Sequence, residues 1–322
     1  MIQSSEFSDD PLSDLLRLVD ARPILSGGFS AGGDWALRFP APAALKFFAI
    51  EKGQCWLKLE NSEDVIRLRE GDAVLLTKPQ SFVMASDLSV AALDAVELFA
   101  HKPDKTAIIG DGRDCAQIGG HIWLDEDRGR LLTEALPDYI HITARSPFSA
   151  SIAWLLAQMK SERALSLPGA AVVSRQIANL MFVQMLRAYL DGKEKLPPGM
   201  LRAFADRRLA PALLLIHERP SKSWRLIELA RAAGMSRTAF AVHFKRVAGL
   251  TPLSYLARWR VQLAISELQG GNRTLAPIAR KLGFSSESAF SNAFQRQVGV
   301  SPMRYRNHVR DALAAAVRSA SV

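Results

Sequence analysis

Ser236–Tyr255 reads SRTAFAVHFKRVAGLTPLSY, and Ser286–Tyr305 reads SESAFSNAFQRQVGVSPMRY. At an offset of 50 residues they share Ser236/Ser286, Ala239/Ala289, Phe240/Phe290, Phe244/Phe294, Arg246/Arg296, Gly249/Gly299, Pro252/Pro302 and Tyr255/Tyr305, 8 of 20 positions. Upstream the offset falls to 49, pairing Leu226/Leu275, Leu229/Ile278, Ala230/Ala279, Arg231/Arg280 and Gly234/Gly283. The second copy therefore has one more residue in its turn. Self-similarity at a fixed period marks one supersecondary unit used twice.

Each copy spells a helix-turn-helix. In the first, Leu226, Leu229, Ala230 and Ala233 stripe a short helix, and Gly234 ends it in the left-handed conformation that glycine accepts. Ser236 caps a second helix, on which Phe240 and Phe244 share a buried face, with Ala239 small where helices approach. Gly249 stops that helix, and Thr251-Pro252 starts the next with proline at its first position. Gly283, Ser286, Phe290, Phe294, Gly299 and Ser301-Pro302 repeat the scheme. Between the copies, Pro252 to Gln269 predicts a helix of about 27 Å at 1.5 Å per residue. Such a strut can hold two recognition helices about one DNA turn apart, roughly 34 Å.

Charge points the same way. Of 41 Lys and Arg and 32 Asp and Glu in 322 residues, Asp206–Val322 holds 19 basic and 6 acidic, a net of +13. Residues 1–205 hold 22 and 26, a net of −4. A basic block joined to an acidic one predicts a polyanionic partner, double-stranded DNA first.

The N-terminal part reads as β-rich to about residue 125. Short runs at Trp35–Phe39, Leu45–Ile50, Gln54–Leu59, Val65–Leu68, Ala73–Thr77, Phe82–Ala85 and Ile118–Leu124 are broken by turn residues, as in a β-sandwich or small barrel. Pro11 opens a short helix after Asp10. Helices are expected near 129–136, 147–163 and 168–191, and 191–199 (DGKEKLPPG) reads as a linker. Val172–Leu190 carries two apolar stripes: Val173, Ile177, Leu180, Met181 and Met185, and Ala178, Phe182, Leu186 and Leu190. A helix apolar on two faces packs against two things. One is its own domain; the other is either more of the same core or a second subunit, with Ile177, Leu180, Met181 and Met185 in a homodimer interface.

Residues 224–310, through LIELARAAGMSRTAFAVHFKRVAGLTPLSYLARWR and LAPIARKLGFSSESAFSNAFQRQVGVSPMRYR, resemble the AraC-type transcription regulators. Residues 10–125 are similar to the cupin-type sensor domain of one branch of them, through KGQCWLKLE and LREGDAVLL among other segments. The resemblance implies an α+β chain with a cupin-like β-barrel or sandwich at 1–125, a helical dimerisation and linker segment at 126–198, and an all-α tandem helix-turn-helix domain at 199–322. It implies sequence-specific promoter binding controlled through the N-terminal domain by a small-molecule effector or a protein signal, with RNA polymerase a further candidate partner.

The face opposite Phe240 and Phe244 supplies candidate base readers Arg237, Thr238, Ala241 and Val242. Many members of the family carry arginine where this chain has Val242, and valine offers only apolar contact, for instance to a thymine methyl. The second helix offers Glu287, Ser288, Ser291, Asn292 and Gln295; Asn and Gln can pair bidentately with adenine, and Glu can accept from cytosine. Candidate phosphate contacts are His243, Lys245, Arg246, Arg258, Arg260, Arg296, Arg304 and Arg306.

Other classes find little support. Two cysteines, Cys55 and Cys115, cannot build a disulfide scaffold or a four-cysteine zinc site, and suit a reducing cytoplasm. The polar start MIQSSEFSDD lacks a signal-peptide pattern, and no run of about 18 apolar residues spans a membrane. Gly53–Gly71 contains no histidine, while His101, His121 and His141 lie in unrelated contexts, so neither metal nor other cofactor is expected and the chain reads as a non-enzyme. Two alternatives stay open: a cupin metalloenzyme fused to a DNA-binding tail, and an effector-independent regulator whose N-terminal domain only dimerises.

Overall fold

A computed structural model describes residues 10–100, 106–165, 167–192, 196–270 and 274–320. The elements are α1 (Pro11–Val19), β1 (Arg22–Ala31), β2 (Ala36–Phe39), β3 (Leu45–Lys52), β4 (Gln54–Leu59), β5 (Val65–Arg69), β6 (Ala73–Leu76), β7 (Phe82–Ala85) and β8 (Leu93–Asp94). Then come α2 (Ala95–Ala100), β9 (Thr106–Ile109), β10 (Cys115–Trp123), α3 (Glu126–Ala135), β11 (Tyr139–Ile142), α4 (Ser149–Leu165) and α5 (Ala170–Asp191). The C-terminal helices are α6 (Met200–Ala205), α7 (Ala210–Glu218), α8 (Leu226–Ala232), α9 (Arg237–Ala248), α10 (Pro252–Gly270), α11 (Leu275–Lys281), α12 (Glu287–Val298) and α13 (Pro302–Ala320). They form two compact units that interleave along the chain. The described parts of Ala21–Asp125 and Leu136–Gly192 make one; those of Met1–Asp20, Glu126–Ala135 and Lys193–Val322 make the other.

The β-rich unit is a sandwich of two sheets, ordered β11-β6-β3-β10-β1-β9 and β5-β4-β7-β2-β8. The expected runs form β2 to β7 and β10, and alternation along β4 and β5 turns Cys55, Leu57, Leu59, Ile66 and Leu68 inward. Phe48, Leu57, Leu68, Leu76 and Met84 fill the space between the sheets. The ten-residue β1 was not among the expected strands. It pairs antiparallel with β10, from Arg22 opposite Trp123 to Ala31 opposite Cys115, with an irregularity between Leu25 and Gly27. Gly28 is needed there, because a Cβ would lie 2.2 Å from the Gln117 carbonyl oxygen.

Helices α4 and α5 form a hairpin in this unit, with α5 against β1 and β11. The face that α5 buries consists of Ala178, Met181, Phe182, Met185 and Leu186, drawn from both stripes read in the sequence. Met181 and Met185 are thus core residues. Leu180 and Val173 are 44% and 41% exposed, and Ile177 is half-buried.

The helical unit has one continuous core that includes Leu18, Trp224, Phe240, Phe244, Trp259, Phe290 and Phe294. The sequence repeat is also a packing repeat. Phe240 and Phe244 meet edge-on at 5.6 Å, and Phe244 meets Tyr255 at 5.8 Å. Phe290 and Phe294 do so at 5.8 Å, and Phe294 meets Tyr305 at 5.5 Å. Buried rings of this kind are worth about 3–5 kcal/mol each on truncation to alanine. Two N-terminal helices join this core: α1 packs on α6, α7 and α10, and α3 packs on α1 and α10.

Candidate nucleic-acid interface

The two recognition helices are built alike. Ser236 Oγ accepts from the Ala239 amide at 3.2 Å, and Ser286 Oγ from the Ala289 amide at 3.0 Å. Gly249 and Gly299 end the helices at φ 73° and 89°. The extra residue of the second copy falls in its turn, between Gly283 and Ser286. There Gly283 is required twice over: its φ is +76°, and a Cβ would lie 2.1 Å from the Ser221 carbonyl oxygen.

Because caps and buried phenylalanines coincide, the outward faces coincide too. Arg237, Thr238 and Val242 are exposed on α9, Val242 to 64%, with Ala241 half-buried. On α12 Glu287, Ser288, Asn292 and Gln295 are exposed and Ser291 is half-buried. Val242 and Asn292 occupy equivalent places, so one helix offers an apolar contact where the other offers an amide. Ala239 is exposed rather than wedged between helices.

The cations expected at phosphates divide into two groups. Lys245, Arg246, Arg296 and Arg304 are exposed beside the recognition faces or at the start of α13. The others are paired or buried within the protein. His243 is only 8% exposed; its Nε2–H donates to Asp206 at 2.9 Å, and its Nδ1 accepts from Arg246 at 2.9 Å. Both ring nitrogens are used, so His243 positions Arg246. Arg260 donates to the carbonyls of Pro220 at 2.6 Å and Lys222 at 3.0 Å and lies over the Phe284 ring. Burial pushes its guanidinium down from its ordinary value. Arg258 pairs with Glu134 of α3 at 2.8 Å, and Arg306 is 7% exposed. Helical period gave these side chains their faces; the inward partners of His243, Arg258 and Arg260 come from elements distant in sequence.

The β-rich unit has a separate feature that the sequence reading missed. A cavity of about 570 Å³ is lined by Phe39, Phe82, Phe99, Gln117, His121 and Trp123, among others. Phe39 and Phe82 stack at 4.7 Å, and Ser26 Oγ lies 2.5 Å from His121 Nδ1. Gln117 is 8% exposed, and its Oε1 has no hydrogen-bond partner among the described residues. The signal was the alternation 117, 119, 121, 123 along one strand. His141 is elsewhere, 3.0 Å from Asp72, and His101 lies outside the described residues. Among the described residues no group of three or more His, Cys, Asp or Glu could hold a metal ion, and no helix is long and apolar enough to cross a membrane.

Comparison with known proteins agrees with both units. Residues 10–191 match a family described as cupin, and residues 229–308 match one described as a helix-turn-helix domain. An AraC-like transcription regulator of Streptomyces lividans is 39% identical over 299 residues, covering 93% of this chain and 98% of that protein. One from Streptomyces antibioticus is also 39% identical, over 93% and 99%. Among solved structures, the DNA-binding domain of AdpA in complex with a target DNA is 30% identical over 32% of this chain and 95% of that chain, at a TM-score of 0.30. With a cupin match over the sandwich, a helix-turn-helix match over the repeat and full-length relatives of the same kind, the chain belongs to the AraC-type transcription regulators.

Proposed function

We propose that this protein reads two successive major-groove segments of one DNA site, one with α9 and one with α12. The observation that carries this reading is the matched register of two exposed faces on one core. Arg237, Thr238, Ala241 and Val242 read the first segment. Glu287, Ser288, Ser291, Asn292 and Gln295 read the second. Lys245, Arg246, Arg296 and Arg304 grip phosphates, which positions the protein without reading sequence.

Selection of preferred duplexes from a random pool tests it. Asn292→Ala is expected to relax base preference at one or two positions of one segment, at a cost of about 1–3 kcal/mol. Arg296→Ala should weaken all duplexes alike. An unchanged preferred site in Asn292→Ala rejects the assignment of that face.

The cavity behind Phe39 and Phe82 is our candidate for the effector. Its size suits a small molecule, and Gln117 Oε1 supplies an acceptor awaiting a donor. The protein acts as a homodimer, and the interface is the outward stripe of α5 with Val173, Ile177 and Leu180, because Met181 and Met185 are spent on the unit's own core. Sedimentation equilibrium of the full chain checks this. Leu180→Asp places an unpaired charge in that interface and is expected to shift a dimer to monomer with no loss of helical content. A wild-type chain that is monomeric at tens of micromolar rejects it.

A further inference from the structure

Both cysteines of the chain lie in the sandwich, one on each sheet. Cys55 is on β4, opposite Leu68 of β5, and Cys115 is on β10, opposite Ala31 of β1. They are 2% and 1% exposed and belong to the same core cluster. The backbone brings them together. Gly53, two residues before Cys55, approaches so closely that a Cβ there would lie 1.8 Å from the Asp114 carbonyl oxygen and 3.3 Å from the Cys115 Cα. Only glycine allows this approach, at φ +74°. Both side chains turn into the space between the sheets, where burial and the influence of each thiol on the other mark them as neighbours.

Solvent comes close to the pair. Cys115 lines an open cavity of about 580 Å³, with Trp35, Gln54, Arg69, Glu70 and Asp114 among its other walls. This cavity shares no lining residue with the one assigned to the effector. A peroxide is small and polar enough to enter it.

We propose that Cys55 and Cys115 are an oxidation site, closed by hydrogen peroxide into a disulfide that ties one sheet of the sandwich to the other. Cys115 reacts first, because its residue belongs to the cavity wall and Cys55 does not. Its sulfur attacks one peroxide oxygen, an S–O bond forms, the O–O bond breaks, and the leaving hydroxide takes up the thiol proton as water. Cys55 sulfur then attacks the sulfenic sulfur of Cys115. The S–S bond forms, the S–O bond breaks, and the departing hydroxide takes the Cys55 proton as a second water. Two thiols are oxidised by two electrons and one peroxide is reduced to two waters. Its place at the cavity wall makes Cys115 the attacking sulfur and leaves Cys55, away from that wall, as the resolving one.

The test treats the folded full-length protein with hydrogen peroxide, quenches it, and maps thiols by mass spectrometry under non-reducing conditions. The expected product is one intramolecular Cys55–Cys115 linkage, a loss of about 2 Da per chain that dithiothreitol reverses. In Cys55→Ala, Cys115 should stop at a sulfenic acid that dimedone traps. In Cys115→Ala, Cys55 should stay reduced. The proposal is overturned if wild type keeps both thiols at excess peroxide, if only intermolecular disulfides form, or if Cys115→Ala is oxidised at Cys55 as fast as wild type. Circular dichroism of each variant shows whether it is folded, and the wild-type mapping decides the question without them.

Discussion

Between about 50 and about 200 mM salt, affinity for a preferred duplex is expected to fall about a thousandfold, the loss for some six phosphate contacts at a log–log slope near −0.9 each. Four of these are the contacts proposed for Lys245, Arg246, Arg296 and Arg304. The amino-terminal ends of α9 and α12 supply the other two through backbone amides. A helix N-terminus is a ready acceptor of phosphate. Fluorescence anisotropy titrations of the full chain at several salt concentrations measure the slope. Lys245→Ala should make it shallower by about 0.9. Arg260→Ala should leave it unchanged, since that guanidinium is committed to the carbonyls of Pro220 and Lys222. A slope that does not change with Lys245→Ala, or that flattens with Arg260→Ala, refutes this division of the cations.

That division marks how far the sequence could be read. The helix-turn-helix units were legible because their determinants are local. A serine cap, a left-handed glycine and two phenylalanines four apart act within one or two turns, and the structure places Ser236, Gly249, Phe240 and Phe244 as the pattern requires. The same locality explains the seven expected strands. Orientation on a helix is different. His243 and Lys245 are two residues apart and were read as the same kind of side chain, yet one is buried on Asp206 and the other exposed. Nothing near His243 in sequence announces an aspartate 37 residues earlier.

Strand β1 was obscured for a related reason. Pro23, Gly27 and Gly28 are turn-like residues by composition, but Gly28 is a strand residue pressed against the Gln117 carbonyl. The need for glycine there is set by a strand 89 residues away. The stripes of α5 were real, but the boundary between them was drawn by its neighbours α4, β1 and β11, which took Met181 and Met185 with Phe182 and Leu186 and left Leu180 outside.

The helical unit is also tied together across long sequence separations. Asp14 on α1, His217 on α7 and Tyr255 on α10 form a buried chain. His217 Nδ1–H donates to Asp14 Oδ2 at 2.8 Å, and Tyr255 O–H donates to His217 Nε2 at 2.6 Å. This is the neutral tautomer, with one nitrogen donating and one accepting. Burial holds Tyr255 well above its ordinary value, so it keeps the proton it donates. Trp259 lies parallel to the imidazole at 3.8 Å. Burial is also the largest influence on His217 and pushes it below its ordinary value, outweighing the hydrogen bond to Asp14 and the charges of Asp14 and Asp10. The unfolded chain therefore binds the proton more readily than the folded one. The stabilisation is complete above the unfolded pKa of about 6.5 and is lost as pH falls from there toward the lower folded value, by up to about 1.4 kcal/mol per pH unit. His217→Gln keeps a donor for Asp14 and an acceptor for Tyr255 but does not titrate in this range. Amide hydrogen exchange in α7 and α10 should thus accelerate on acidification more steeply in wild type than in His217→Gln. Asp14→Ala leaves the His217 N–H buried without its acceptor and should cost about 3 kcal/mol at neutral pH, roughly a hundredfold or more in protection. Equal pH slopes in wild type and His217→Gln would show that this imidazole does not titrate on unfolding. A loss below about 1 kcal/mol in Asp14→Ala would show that α1 is not held by this bond.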